Sequence, residues 1–114
     1  MTSVSSFHCQ RQPLANQRYV LRLSGELDLF AAPGFQEECQ AVLQEGCQEL
    51  FVDLGDLQFI DSAGLASLLI LYRESLSRNC SLVLVDELGR QERLFALAHL
   101  ESILPLHRTA AYQS

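Results

Sequence analysis

The chain has 114 residues, a formal net charge of −6, and 48% hydrophobic against 19% charged residues, a composition that fits one globular domain and excludes disordered or fibrous chains. All eight basic residues are arginine, which excludes chemistry that needs a lysine as Schiff base, P-loop phosphate ligand or acylation base. The acidic balance opposes direct nucleic-acid binding, which depends on clustered positive charge, and favours a protein partner with a basic patch. Cys9, Cys39, Cys47 and Cys80 form no C-x-x-C pair and have no histidine at zinc-finger spacing, so no metal is expected. Met1 is followed by Thr-Ser-Val-Ser-Ser-Phe, which predicts no secretory signal. No apolar stretch approaches the roughly 20 residues that span a bilayer. A cytoplasmic location is expected, without a membrane partner and with the thiols serving as small apolar groups.

Ser5 to Gln10 and Tyr19 to Ser24 read as two strands, the second alternating Val20 and Arg22 against Leu21 and Leu23. The turn residues between Pro13 and Gln17 predict an antiparallel hairpin. In LFAAPGFQEECQAVLQEGCQ, the residues Phe35, Cys39, Val42 and Leu43 recur at i, i+4, i+7 and i+8 and mark one face of a helix, with Cys39 on its core stripe. Pro33 suits the first turn of that helix and Gly46 its end. Leu50 to Leu54, bounded by Gly55-Asp56, predicts a short buried strand. Leu65, Leu68, Leu69, Tyr72 and Leu76 then predict an amphipathic helix ending near Asn79. Ser81 to Asp86 reads as a buried strand, and Gly89 to Leu100 as a helix with Leu94, Leu97 and Leu100 inward and Arg90, Glu92 and Arg93 outward. Ile103 to His107 suggests a last short strand, and Thr109 to Gln113 a terminal helix.

The order β-β-α-β-α-β-α-β-α predicts a single α/β domain over residues 1–114. Its sheet is mixed and four- to five-stranded, with an N-terminal antiparallel hairpin, right-handed crossovers between parallel strands and about four helices.

Between the third strand and its helix stands FIDSAGLASLL, residues 59–69. Asp61 and Ser62 are both preferred helix N-caps, because their side-chain oxygens accept hydrogen bonds from the first orphan amides. A nucleophilic Ser62 would need the sharp Gly-x-Ser-x-Gly elbow, but Ile60 occupies the first glycine position and nothing in the sequence brings His99 or His107 to the serine. Phosphorylation is the third reading: a phosphate adds about −1.5 to −2 charges, which the amide-rich end of a helix tolerates. It would sharpen an acidic patch formed with Asp61 and with Asp28 at a neighbouring strand end.

Three blocks resemble the STAS domain family, and in particular its small stand-alone bacterial anti-sigma-factor antagonists: Leu23-Ser24-Gly25-Glu26-Leu27-Asp28, the stretch from Phe51 to Leu65, and Arg93-Leu94-Phe95 with Leu100. The resemblance covers roughly residues 18 to 107. It implies a non-enzymatic partner switch with no cofactor. Ser62 would be the phosphoacceptor for a GHKL-type serine kinase that is itself an anti-sigma factor, and a PPM-type phosphatase would reset it. Asp61 and Gly64 would shape the turn, Asp28 would orient or contact beside it, Leu65 and Ala66 would join the docking surface, and Ala63 would count with all of these among the partner-binding residues. The same resemblance also admits a partner switch acting on a target other than a sigma factor, or a STAS subunit of a transport assembly. Ala63 stands where many relatives carry a second hydroxyl, which leaves Ser62 alone in the turn. His99 stands where a glycine is common and reads as a solvent-facing or locally bonded histidine.

Overall fold

The computed structural model describes residues 6–109. A five-stranded mixed sheet in the order β1-β2-β3-β4-β5 forms the frame. It is built from β1 (Phe7–Leu14), β2 (Arg18–Leu27), β3 (Glu49–Ile60), β4 (Ser81–Val85) and β5 (Leu106–His107), joined by helices α1 (Ala32–Gln44), α2 (Ser62–Ser77) and α3 (Glu92–Leu97). β1 and β2 pair antiparallel, whereas β2 to β5 run parallel, as helical crossovers require.

Alternation along the strands sorts the core into two faces. Leu21 and Leu23 of β2, Leu50, Val52 and Leu54 of β3, and Leu84 of β4 join Phe35, Cys39, Val42 and Leu43 of α1 and Leu65, Leu68 and Leu71 of α2 in the main cluster. Val20, Phe51 and Val85, on the other parity, form a second buried cluster with Leu14 and Val83 packed against it. Parallel strands buried on both faces read as continuous apolar runs, which is why Leu50 to Val52 are all apolar, with the part-buried Asp53 the only polar residue before Leu54. Phe35 is fully buried and meets Phe7 edge to face, with ring centroids 6.1 Å apart.

The α1 stripe lies where the spacing puts it, with Phe35, Cys39, Val42 and Leu43 all buried and Pro33 in the first turn. Other boundaries move. The first strand starts at Phe7 and runs on through Pro13 to Leu14, which an edge strand tolerates. The hairpin turn is confined to residues 15–17, where Asn16 and Gln17 adopt left-handed backbone, φ 65° and 58°. β3 does not stop at Leu54. β2 continues beside it through two register irregularities, pairing Ser24 with Asp56, Gly25 with Leu57 and Leu27 with Ile60, so backbone partners carry the strand past Gly55-Asp56.

The buried stripe of α2 is rotated from the leucine pattern. Gly64, Ser67, Leu71 and Ser75 face inward with Leu65 and Leu68, while Leu76 is 57% exposed. Serine can occupy these core positions because its hydroxyl turns back onto its own helix: Ser67 Oγ donates to the Gly64 carbonyl (2.6 Å) and Ser75 Oγ to that of Tyr72 (2.7 Å), which leaves no unpaired hydroxyl in the core.

α3 is shorter than the span from Gly89 to Leu100 suggests. The buried Asp86 carboxylate accepts the amides of Arg90 (3.1 Å) and Gln91 (2.9 Å) and holds the entry in a turn. Phe95 is the buried anchor, and Leu97, expected inward, is 69% exposed. The last strand is likewise reduced from Ile103–His107 to Leu106–His107, because residues 101–104 form turns. There are three helices among the described residues rather than about four; the terminal helix proposed for Thr109 to Gln113 lies, apart from Thr109, outside them. No described helix is long and apolar enough to cross a membrane.

His99 is exposed and left-handed, φ 58°, and the chain closes α3 around it, with Leu100 N–H donating to the Phe95 carbonyl at 2.8 Å. This is the backbone position that glycine fills without a Cβ penalty. His99→Gly should therefore raise the unfolding free energy by about 0.5–1 kcal/mol, seen as a higher denaturant midpoint at unchanged slope.

Candidate functional site

The candidate site is the place where two neighbouring parallel strands end together. Leu27 pairs with Ile60, so Asp28 and Asp61 emerge side by side, and the Asp61 amide donates to the Leu27 carbonyl (3.3 Å). From there β2 turns into α1 and β3 turns into α2.

Asp61, not Ser62, is the N-cap of α2. Its backbone is extended (φ −105°, ψ −173°) and its Oδ1 accepts the Gly64 amide at 2.9 Å, the usual bond from a cap to an otherwise orphaned donor. Its second oxygen accepts the Leu29 amide at 3.1 Å. One carboxylate thus ties the start of α2 to the loop that leaves β2. Asp28 organises that loop from within: Oδ1 accepts the amides of Phe30 and Ala31, each at 3.0 Å, while its carbonyl accepts those of Ala31 (3.1 Å) and Ala32 (2.9 Å). Both acidic side chains are engaged with main-chain donors.

Gly64 sets how closely the helix approaches. A Cβ there would lie 2.2 Å from the Leu27 carbonyl oxygen and 2.7 Å from Ile60 Cγ1, so any larger residue must push the first turn of α2 off the end of β2. Leu65 is 8% exposed and belongs to the main core cluster; its side chain anchors the turn from below and presents little to the outside. Ala63 is half-buried, and Ala66 is exposed.

Ser62 occupies the first position of α2 and is exposed. Among the described residues its hydroxyl makes no side-chain hydrogen bond, and none of the histidines, aspartates or glutamates is bonded to it. The arrangement provides an accessible hydroxyl at the positive end of a 16-residue helix, beside two carboxylates. It provides no bonded base to take the hydroxyl proton. No group of three or more metal-ligating side chains occurs among the described residues.

Two neighbours of Ser62 were not singled out by sequence reasoning. Leu29 is 63% and Phe30 82% exposed, on the loop that the Asp61 carboxylate holds. In the sequence they run straight into the helical pattern of α1 and look like part of its apolar stripe. The available signal was the Asp28-to-Ala31 spacing of an Asx-type turn, which places residues 29 and 30 on a loop before the helix.

The architecture is thus an α/β domain with an N-terminal antiparallel hairpin, parallel crossovers and an Asp-Ser turn at paired strand ends. A family model described as "Mlab, STAS domain" matches residues 11–105, and the chain belongs to the STAS domain family. It is 24% identical over 86 residues to an anti-sigma-B factor antagonist of Staphylococcus aureus, which covers 75% of this chain and 80% of the relative. Among solved structures, it is similar to an anti-sigma factor antagonist from Mycobacterium paratuberculosis, with TM-score 0.83, 24% identity and all of both chains covered. It also resembles the Bacillus cell fate determinant SpoIIAA in its phosphorylated form, with TM-score 0.70, 21% identity, and 91% of this chain and 94% of that one covered.

The turn's energetics are testable by substitution. Gly64→Ala should cost about 3 kcal/mol of stability through the backbone clash. Asp61→Ala should cost about 2 kcal/mol, the sum of a lost cap and a lost loop bond, with Asp61→Asn recovering part of it. Urea unfolding of the three variants measures both.

Proposed function

We propose that this chain is an anti-sigma-factor antagonist that works as a non-enzymatic partner switch at Ser62. The observation that carries the reading is the exposed, unbonded Ser62 hydroxyl on a turn held rigid by Asp61. The names of the relatives, and the existence of a phosphorylated form of one of them, support it.

In this reading the unmodified chain binds a GHKL-type serine kinase that is itself an anti-sigma factor. Ser62 and Ala66 face the partner from α2, and Leu29 and Phe30 face it from the adjoining loop. Asp61, Ala63 and Gly64 shape the turn, and Leu65 supports it from the core. Asp28 holds the loop that carries Phe30. Phosphorylation of Ser62 adds about −1.5 to −2 charges beside Asp28 and Asp61. The Gly64 amide is already occupied by Asp61, so the phosphate does not gain that donor. Placing the new charge in a closed interface without a matching cation costs roughly 3–5 kcal/mol, a hundredfold to several-thousandfold loss of affinity. The partner is then released until a PPM-type phosphatase removes the phosphate.

The decisive experiment uses Ser62→Ala as bait in a pull-down from the native cell, followed by incubation of the wild-type chain with the recovered kinase and ATP. A kinase should be recovered, and phosphosite mapping should find Ser62. Modification confined to other residues sinks the switch, and recovery of a membrane complex in place of a kinase points to a transport assembly. Ser62→Asp should bind poorly. Phe30→Ala should weaken binding at least tenfold by removing an exposed aromatic anchor, with stability unchanged.

A further inference from the structure

The far end of β3 from Ser62 carries a second pair of reactive groups. Cys47 follows α1 and Cys80 follows α2; both are buried in the main core cluster, and their Sγ atoms lie 3.5 Å apart. They stand just before β3 and β4, where Ser81 N–H donates to the Gln48 carbonyl (2.9 Å) and Glu49 pairs with Ser81. Extending that register puts Cys80 opposite Gln48, so Cys47 lies one strand spacing and one residue away, about 5–6 Å between Cα atoms, within the separations that a disulfide bridges. Each cysteine is flanked in sequence by exposed residues, Gly46 and Gln48 on one side and Asn79 and Ser81 on the other, while the cysteines themselves are 4% and 3% exposed.

The four thiols are not equivalent. Burial pushes Cys9 up to about 12 and Cys39 still higher, with Cys9 adding to the rise at Cys39, and no hydrogen bond joins those two thiols. The hydrogen bond between Cys47 and Cys80 instead holds Cys80 below the usual thiol range while raising Cys47, so the pair loses its first proton from Cys80, leaving a thiolate that the Cys47 thiol stabilises.

We propose that Cys47 and Cys80 are a site of reversible disulfide formation, oxidised by a hydroperoxide. The Cys80 thiolate attacks a peroxide oxygen, the O–O bond breaks, and a sulfenic acid forms while the leaving hydroxide (or alkoxide) takes up the proton that the thiol released and departs as water (or the alcohol). Cys47 then attacks the Cys80 sulfur, the S–S bond forms, the S–O bond breaks, and the hydroxyl leaves as water with the Cys47 proton. The two sulfurs together lose two electrons, and the peroxide gains them. The bridge joins residues 33 apart and encloses all of β3, the Ser62 turn and α2, so it constrains the unfolded chain and leaves the Ser62 face open.

Hydrogen peroxide treatment of the full chain, followed by denaturation, N-ethylmaleimide labelling and intact-mass measurement, tests the site. Two adducts per chain are expected instead of four, with fragment ions linking Cys47 to Cys80. Dithiothreitol should restore four, and the oxidised protein should melt about 10 °C higher than the reduced one. Cys80→Ser should retain three labelled thiols after peroxide, whereas Cys47→Ser should retain two and carry a sulfenic acid at Cys80. Four adducts on the oxidised wild type, or a bridge that includes Cys9 or Cys39, overturns the proposal. The wild-type linkage map decides the matter even where a variant fails to fold.

Discussion

The Asp61 carboxylate is the interaction on which the candidate site depends. Its two oxygens accept amides from two segments far apart in sequence, Gly64 at the start of α2 and Leu29 after β2. Because charge-assisted bonds of this kind are roughly twice as strong as neutral ones, they hold both strand exits in one arrangement. The Gly64 approach to the Leu27 carbonyl makes that arrangement tight. Ser62 and the Leu29–Phe30 loop are positioned by these two constraints together with the Asp28 carboxylate, which accepts the Phe30 and Ala31 amides.

The rest of the fold supplies the platform. Parallel pairing of β2 with β3 brings Leu27 level with Ile60, and only with that register can an aspartate after one strand reach the backbone after the other. Two irregularities in the pairing let the strands keep company to their common end. Below the turn, Leu65 and Leu68 of α2 lock the helix into the core, and the back-bonded Ser67 and Ser75 let it lie close to its neighbours without burying an unpaired hydroxyl. The outer face of the first turn, with Ser62 and Ala66, stays exposed while its inner face, with Gly64, Leu65 and Leu68, is committed to packing.

The same economy separates the two chemical features of the chain. Ser62 and the cysteine pair sit at opposite ends of β3, one exposed among carboxylates and the other buried at the strand starts. Modification at one end adds charge to a surface. Oxidation at the other would add a covalent link inside the domain, without placing a new group on the Ser62 face. The two proposed events act on different properties, binding in the first case and stability in the second.

Much of this was legible in the sequence. Phe35, Cys39, Val42 and Leu43 declare α1 by spacing, the apolar runs declare the parallel strands, and Asp61-Ser62 before a leucine-rich segment declares the start of α2. These are local signals, set by helix and strand periodicity and by capping chemistry, and neighbouring residues suffice to read them. What tertiary structure alone decided is non-local. Pairing with β2 carried β3 past Gly55-Asp56 to Ile60. Packing against the sheet rotated α2 so that Gly64, Ser67 and Ser75 face inward and Leu76 outward, since close approach favours small residues over large apolar ones. The buried Asp86 shortened α3 and left Leu97 in solvent. Asp61 rather than Ser62 took the cap because its carboxylate can serve two backbones at once, and the second of those backbones is 32 residues away in sequence.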